Sequence, residues 1–92
     1  MMEVRQTERF LDWLSGLGGR EAAVRIARLR GGNFGDAKRL TKNVFEMRID
    51  YGPGYRLFFT RRGAVVDILL CGGDKRTQSA DIAEAERLAE DL

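Results

Sequence analysis

The sequence VFEMRIDYGPGYRLFFT, residues 44–60, decides the fold of this chain. Apolar and polar side chains alternate over residues 45–49 and again over residues 55–59. Alternation with a period of two is typical of β-strands that bury one face. The Pro-Gly pair between the two runs is typical of a tight turn, so the stretch predicts a β-hairpin.

The alternation also predicts the register of the hairpin, because the two apolar faces must join. The opposed apolar pairs are then Phe45 with Phe59, Met47 with Leu57, and Ile49 with Tyr55. On the other face, the same register places Arg48 directly opposite Arg56. Like charges in opposed positions destabilise a sheet. A fold tolerates such a pair more readily when an anion lies between the two arginines.

Helices are predicted on both sides of the hairpin in the sequence. Residues 4–7 form a short first strand, and Thr7 is a plausible N-cap for a helix over residues 8–16. A second helix is expected over residues 20–31, antiparallel to the first. The apolar positions predicted to face the core in the first helix are Phe10, Trp13, Leu14 and Leu17.

The C-terminal part predicts one more strand and one more helix. Residues 64–71 are almost continuously apolar, as in a central strand buried on both faces. Ser79 is the expected N-cap of an amphipathic helix with Asp81 in its first turn. The residues expected to face the core from this helix are Ile82, Ala85, Leu88 and Ala89.

The predicted fold class is therefore α+β in a single domain, residues 1–92. A small twisted antiparallel sheet carries an N-terminal helical hairpin and a C-terminal helix on one face. The other face is expected to be open and to present Glu46, Arg48, Arg56, Phe58 and Thr60. The glycine-rich loop at residues 31–36 is either an anion-binding nest or only a turn.

Composition excludes several kinds of site. The 92 residues contain no histidine and one cysteine, so a zinc site or a Cys-His nucleophile is effectively excluded. Cys71 lies in the apolar strand and is expected to be a small buried hydrophobe. No apolar run reaches the length of a membrane span and the N-terminus does not resemble a signal peptide, so a cytoplasmic location is expected.

The net charge of +2 conceals an uneven distribution along the chain. Residues 79–92 contain five acids and one arginine, whereas residues 1–78 contain 15 bases and nine acids. The basic part is suited to nucleic acid or an acidic partner, although a charged surface that is merely solvated explains the same numbers.

Arginine and lysine are the candidates for chemistry at a phosphodiester. Arg48 and Arg56 are forked donors that suit phosphate oxygens, and Lys75 and Arg76 follow the Gly72-Gly73 pair, which permits close approach of a ligand. Phe58 is a candidate for stacking on a base. The alternative for Arg48 is an ion pair with Glu46 or Asp50. Gly72-Gly73-Asp74-Lys75 does not have the spacing of a P-loop.

These residues belong to a set of short motifs that resembles one family. The motifs are Phe10-x-x-Trp13-Leu14, Gly32-Asn33-x-Gly35-Asp36, Glu46-x-Arg48, Gly52-Pro53-Gly54-Tyr55-Arg56, Gly72-Gly73-Asp74-Lys75-x-x-Gln78 and Asp81-Ile82-x-x-Ala85. In this order and spacing they resemble the RelE/ParE toxin superfamily, and more closely its HigB-like addiction module killer proteins, which are related to phage Gp49-like proteins. The resemblance covers residues 10–85.

The resemblance implies the toxin of a type II toxin–antitoxin system with a RelE-like fold. Its partner would be a small antitoxin with a helix-turn-helix DNA-binding domain, and the toxin would meet DNA only through that complex. RelE-like toxins inhibit translation as mRNA interferases: they bind mRNA on the ribosome and cleave it as endoribonucleases. No metal or other cofactor is implied, because the 2′-OH of the RNA is itself the nucleophile.

Carried over residue by residue, the resemblance implies a catalytic group of Arg48, Arg56 and Lys75, and it adds Arg76 and Gln78 as candidates for substrate binding. The pattern of residues itself adds Phe58, Lys38 and Lys42 to the substrate-binding group. RelE-like enzymes often have a tyrosine or histidine near the C-terminus, but this chain has neither after Tyr55. Lys75 or Glu46 is then the candidate general base.

Two other functions remain open. ParE-like relatives use a similar fold to inhibit DNA gyrase without cleaving nucleic acid, and an inert phage-derived binding module is a third possibility. For the nuclease, Arg56→Ala is expected to abolish toxicity with little loss of stability. The antitoxin is expected either to cover the basic surface or to displace the C-terminal helix.

Overall fold

The computed structural model describes residues 3–16, 24, 37–49, 54–63 and 66–92. Within these residues a five-stranded sheet has the order β1-β5-β4-β3-β2. The elements in chain order are β1 (Glu3–Gln6), α1 (Glu8–Gly16), β2 (Lys38–Arg39), β3 (Phe45–Ile49), β4 (Tyr55–Arg62), β5 (Val66–Asp74), a 3₁₀ turn (Lys75–Thr77) and α2 (Gln78–Glu90). The α+β class is confirmed.

The predicted hairpin is formed by β3 and β4, and its register is confirmed at every pair. Arg48 lies opposite Arg56, and the three apolar pairs fall as the alternation predicts. The predicted third strand, β5, lies between β4 and β1 and is therefore central in the sheet. It extends beyond the predicted end, to Asp74.

The prediction of an antiparallel sheet is wrong for one strand. β1 pairs with β5 in parallel, with Glu3 opposite Val66 and Gln6 opposite Leu69. Tight turns enforce antiparallel pairing only between strands that follow each other in the chain. β1 and β5 are distant in sequence, so the hairpin rule says nothing about their direction.

α1 begins at the predicted cap. The Thr7 hydroxyl accepts a hydrogen bond from the Phe10 backbone N–H at 3.0 Å and donates one to the Leu70 carbonyl at 2.6 Å. The first contact caps α1, and the second fixes its start to β5. The helix buries Phe10 in one hydrophobic cluster, the α1-face core, whose fully buried members are Phe10, Ile49, Leu57, Phe59 and Leu69.

α2 packs on the opposite face of the sheet, so the prediction that all helices share one face is wrong. It covers a second cluster, the α2-face core, which contains Val44, Phe58, Leu70, Cys71, Ala85 and Ala89. Phe58 is 0% exposed there. The prediction that Phe58 stacks on a base is therefore wrong in this arrangement, as is the expectation of an open face.

An irregularity in β5 explains why this face is so apolar. Phe58 pairs with Cys71 and Phe59 pairs with Leu69, so Leu70 is an extra residue in the ladder. A β-bulge of this kind breaks the strict alternation of faces. Leu70 and Cys71, although adjacent, both contribute to the α2-face core. The bulge thus adds apolar surface beneath α2.

α2 begins one residue before the predicted cap, so the assignment of Ser79 is wrong. Asp74 caps the preceding 3₁₀ turn instead, because its carboxylate accepts a hydrogen bond from the Arg76 backbone N–H at 2.8 Å. The Thr77 hydroxyl donates to Asp81 in the first turn of α2. The predicted inward face of α2 is confirmed, with Ala85 and Ala89 buried.

Several predictions fall on parts of the chain that lie outside the described residues. They are the second helix at 20–31 apart from Val24, the glycine-rich loop at 31–36, Leu17, and most of the Pro-Gly turn at 50–53. In the described ranges, every helix is too short or too polar to cross a membrane.

Cys71 is expected to resist thiol reagents in the native protein. Burial, with help from the Asp81 and Glu84 carboxylates, raises the pKa of the thiol to about 12. The reactive thiolate is therefore scarce at about pH 8. Mass spectrometry after iodoacetamide treatment should show no labelling of the folded protein and full labelling in denaturing urea. Rapid labelling without urea would contradict the burial of Cys71.

Candidate phosphate-binding site

Five polar residues converge at the β2 edge of the sheet, on the face that carries α2. Lys38 lies opposite Glu46 across β2 and β3, Arg48 lies opposite Arg56 across β3 and β4, and Gln78 is the first residue of α2. We call these five residues the Glu46 cluster. Alternation along β3 places Glu46 and Arg48 on one face, and the hairpin register brings Arg56 beside them.

Glu46 is the centre of the cluster. One carboxylate oxygen, Oε1, lies 3.2 Å from Arg56 Nη1 and 3.8 Å from Arg48 Nε. The other oxygen, Oε2, accepts a hydrogen bond from Gln78 Nε2 at 3.1 Å. The anion expected between the two arginines is therefore a side chain of the protein itself. The sequence indicates Glu46 as a possible base and as a partner of Arg48, but not as the shared counter-ion.

The two arginines differ in their access to solvent. The Arg56 side chain is 14% exposed and the Glu46 side chain is 5% exposed, whereas the Arg48 side chain is 71% exposed. Lys38 is exposed as well. Three cations and one anion leave the cluster with a net charge of +2. The surplus positive charge is therefore on Arg48 and Lys38, at the surface.

The other predicted site residues lie outside this cluster. Gly73 is the strand partner of Arg56, and the 3₁₀ turn with exposed Lys75 and Arg76 starts two residues later. The Arg76 guanidinium lies 3.0 Å from the Asp74 carboxylate, and its hydrogen bonds lower the pKa of Asp74. Lys42 is exposed in the segment between β2 and β3.

Gln78 makes a contact within the protein that the sequence does not predict. Its side-chain amide donates to Glu46 and so joins the first residue of α2 to β3. The amide has a second N–H and a carbonyl oxygen, so the substrate-binding role of Gln78 stays a prediction. The sequence gives no signal for this contact, because Gln78 and Glu46 are 32 positions apart.

The packing of the chain requires glycine at both positions of the Gly72-Gly73 pair. A Cβ atom on Gly72 would lie 2.5 Å from the Trp13 ring, and one on Gly73 would overlap the Asp81 carboxylate. Trp13 also packs edge-on to Tyr55, with ring centroids 6.0 Å apart. This confirms that Tyr55 faces the α1-face core.

Among the described residues, four polar contacts hold α2 against the sheet and its loops, in addition to apolar packing. They join Gln78 to Glu46 at 3.1 Å, Arg62 to the Ala89 carbonyl at 2.6 Å, the Cys71 thiol to the Asp81 carbonyl at 3.5 Å, and the Thr41 hydroxyl to Glu86. They are spread from the first turn of α2 to its last. Displacing α2 would break all four contacts and expose the α2-face core.

Comparison with known proteins gives one informative relative. No protein-family model matches the chain, and no solved structure matches it. An uncharacterised protein of Haemophilus influenzae is 45% identical over 95 residues, an alignment that covers 99% of this chain and 96% of the relative. Identity at this level over nearly the whole of both chains shows that this chain belongs to the same protein family as the Haemophilus influenzae protein.

Proposed function

We propose that this protein is the toxin of a type II toxin–antitoxin system, a RelE-like, metal-independent endonuclease that cleaves mRNA on the ribosome in the cytoplasm. The observation that supports the proposal best is the Glu46 cluster, which has a net charge of +2 and lies beside an exposed edge of the sheet. The motifs that resemble the HigB-like group include Glu46, Arg48 and Arg56, and so bear on the same cluster. The RelE-like fold, with its N-terminal helical hairpin, is part of the proposal.

The proposed reaction needs no group beyond the RNA and this chain. The ribose 2′-oxygen forms a bond to the adjacent phosphorus while the bond from phosphorus to the 5′-oxygen breaks. The 2′-OH loses a proton to a base, and the 5′-oxygen gains one, which leaves a 2′,3′-cyclic phosphate and a 5′-OH. The exposed cations of the cluster, Arg48 and Lys38, stabilise charge that develops on the phosphate oxygens.

Lys75 is the better candidate for proton transfer. Both oxygens of Glu46 are engaged by Arg56 and Gln78, and its side chain is almost fully buried. A base must reach the proton that it removes. Lys75 is exposed at the start of the 3₁₀ turn, two positions after the strand partner of Arg56.

The proposed partner is an antitoxin with a helix-turn-helix domain that covers the basic surface. Of the two modes expected from the sequence, the polar contacts along α2 favour covering over displacement of that helix. An acidic segment of the antitoxin would complement Lys38 and Arg48.

A gyrase inhibitor of the ParE type is the second candidate. The observation in its favour is that no tyrosine or histidine follows Tyr55, although RelE-like nucleases often use one. Such a toxin needs a binding surface but no general base.

Induction of the protein in bacteria should arrest growth and create new 5′ ends within translated mRNA. The Lys38→Ala/Arg48→Ala double variant should lose both effects, because no exposed cation of the cluster would remain to neutralise the negative charge of the phosphate. Primer extension and growth curves measure the two effects. Arg5→Ala is a matched control, because Arg5 is an exposed strand arginine that pairs with Glu3 two positions earlier, as Arg48 does with Glu46.

Each other outcome has a defined meaning. Growth arrest with intact mRNA and inhibited DNA supercoiling would replace the nuclease by the gyrase inhibitor. Absence of arrest by the wild type would refute the toxin proposal. With isolated protein and a short RNA in EDTA, cleavage that requires added divalent metal would refute the metal-independent reaction.

A further inference from the structure

We infer that Arg48 and Lys38 bind the substrate phosphate directly, while Arg56 and Glu46 are positioning residues that aim the Arg48 guanidinium. The inference deepens the proposed function, on which it rests for the identity of the substrate. It assigns different roles to Arg48 and Arg56, which the sequence does not distinguish. It also assigns a role to Glu46 other than that of a base.

The first argument is access. An incoming phosphate meets the Arg48 side chain, which is 71% exposed, before it can reach Arg56, which is 14% exposed. Lys38 is exposed on the neighbouring strand, directly opposite Glu46. A phosphate at the β2 edge can therefore contact both cations without any movement of α2.

The second argument is the direction of the donors. The Nε of Arg48 lies 3.8 Å from the Glu46 carboxylate, and the Arg48 side chain makes no other ion pair or hydrogen bond in the described part of the chain. The two Nη groups are therefore left for a bidentate contact with phosphate oxygens. Arg56 instead directs an Nη group at the same carboxylate, at 3.2 Å.

The third argument concerns the charge of Glu46. Its carboxylate takes the place of a shared anion between two opposed arginines, so the chain needs no external anion to hold them together. Arg56 and Gln78 fix the carboxylate in turn. Two consequences follow: Glu46 lowers the affinity of the site for phosphate, and it orients Arg48.

Lysine substitutions at the two opposed positions separate the roles. Lysine keeps the charge but cannot form a bidentate contact. Arg48→Lys should weaken binding of inorganic phosphate by about fivefold to tenfold, because one of two charge-assisted hydrogen bonds is lost. Arg56→Lys should leave phosphate affinity within about twofold of the wild type, since its contact is with Glu46 and not with the ligand.

Glu46→Gln tests the positioning residue itself. Removing one negative charge beside the site should raise phosphate affinity by about threefold to tenfold. Cleavage of a short RNA should nevertheless slow, with a lower kcat and an unchanged or lower KM, because the side chain at position 46 no longer orients the Arg48 guanidinium. A role confined to stability would not produce this split between kcat and KM.

The decisive measurement is NMR of the arginine Nε–Hε groups in the full chain. Inorganic phosphate, and then an uncleavable 2′-O-methyl RNA, should shift the Arg48 signal and leave the Arg56 signal nearly unchanged. Arg5 reports non-specific binding to an exposed arginine that pairs with a glutamate. The inference is overturned if Arg56 shifts with the same affinity as Arg48, or if Arg48 responds no more than Arg5.

Failure of this inference is distinguishable from failure of the proposed function. Growth arrest and mRNA cleavage by the wild type, combined with an Arg56 response, would keep the nuclease and reject the division of roles. The expected Arg48 response without growth arrest would support the phosphate site and reject the toxin.

Discussion

Arg56→Ala is expected to lower the free energy of unfolding by about 2–4 kcal/mol, because it leaves the buried Glu46 carboxylate without its closest cation. The Glu46 side chain is 5% exposed and its Oε1 lies 3.2 Å from Arg56 Nη1. Arg48, at 3.8 Å and mostly exposed, replaces little of this interaction. The sequence-based expectation of a negligible effect treats Arg56 as a surface residue, whereas the structure places it beneath α2.

Urea denaturation of the wild type and three variants measures this effect. Arg48→Ala, at the opposed position, should cost less than about 1 kcal/mol, as exposed ion pairs contribute little. Adding Glu46→Gln to Arg56→Ala should recover part of the loss, since the unpaired buried charge is then removed. Equal stability of Arg48→Ala and Arg56→Ala would show that Glu46 does not depend on Arg56.

Gly72→Ala is expected to destabilise the fold by about 1–3 kcal/mol through overpacking. The new Cβ would lie 2.5–2.6 Å from three atoms of the Trp13 ring, so the indole must move. Trp13 is in contact with Phe10 and Tyr55, at centroid distances of 5.7 and 6.0 Å, so its displacement disturbs the α1-face core. Thermal unfolding followed by circular dichroism measures the loss.

Gly16→Ala is the matched control for Gly72→Ala. A Cβ on Gly16 meets no atom of the described residues within 4 Å, and its backbone is not in the left-handed region. This variant should be neutral or slightly more stable. In a Trp13→Leu background the cost of Gly72→Ala should shrink, because the clashing ring is gone. An equal loss of stability in the Trp13→Leu background would show that the strain of Gly72→Ala does not come from the Trp13 ring.

Local patterns were sufficient to predict the hairpin and the identity of most core residues. The alternation of Phe45, Met47 and Ile49 has a single register in which a buried face is continuous, and the structure has that register. The Thr7 cap and the inward face of α2 follow from equally local rules. In each case the deciding interactions are between residues close in sequence or within one hairpin.

The wrong predictions depend on interactions over long distances in the chain. Nothing local in Glu3–Gln6 specifies parallel pairing with β5. The extra residue Leu70 has no distinctive sequence signal, yet it increases the apolar surface on the second face. α2 packs on that surface and buries Phe58. The error at Phe58 therefore follows from placing α2 on the wrong face of the sheet.

The candidate site was predicted in outline but not in its internal organisation. The register places Arg48 and Arg56 together, and the like charges indicate an anion between them. The identity of that anion depends on burial by α2 and on Gln78, which tertiary packing alone brings to Glu46. Sequence therefore predicts which cations meet, and the structure shows which of them faces solvent.

The parallel pairing of β1 with β5 has a consequence for the order of folding. Three strands, β3, β4 and β5, follow one another in the chain and can form as successive hairpins. The hydrogen bond from Thr7 to Leu70, in contrast, joins residues 63 positions apart. Closing a loop of that length costs about 4 kcal/mol of chain entropy before any contact compensates for it. β1 and α1 are therefore expected to dock after the hairpins have formed. Until they dock, Ile49, Leu57 and Phe59 lack the cover of α1, and this exposed apolar surface favours aggregation of the folding chain.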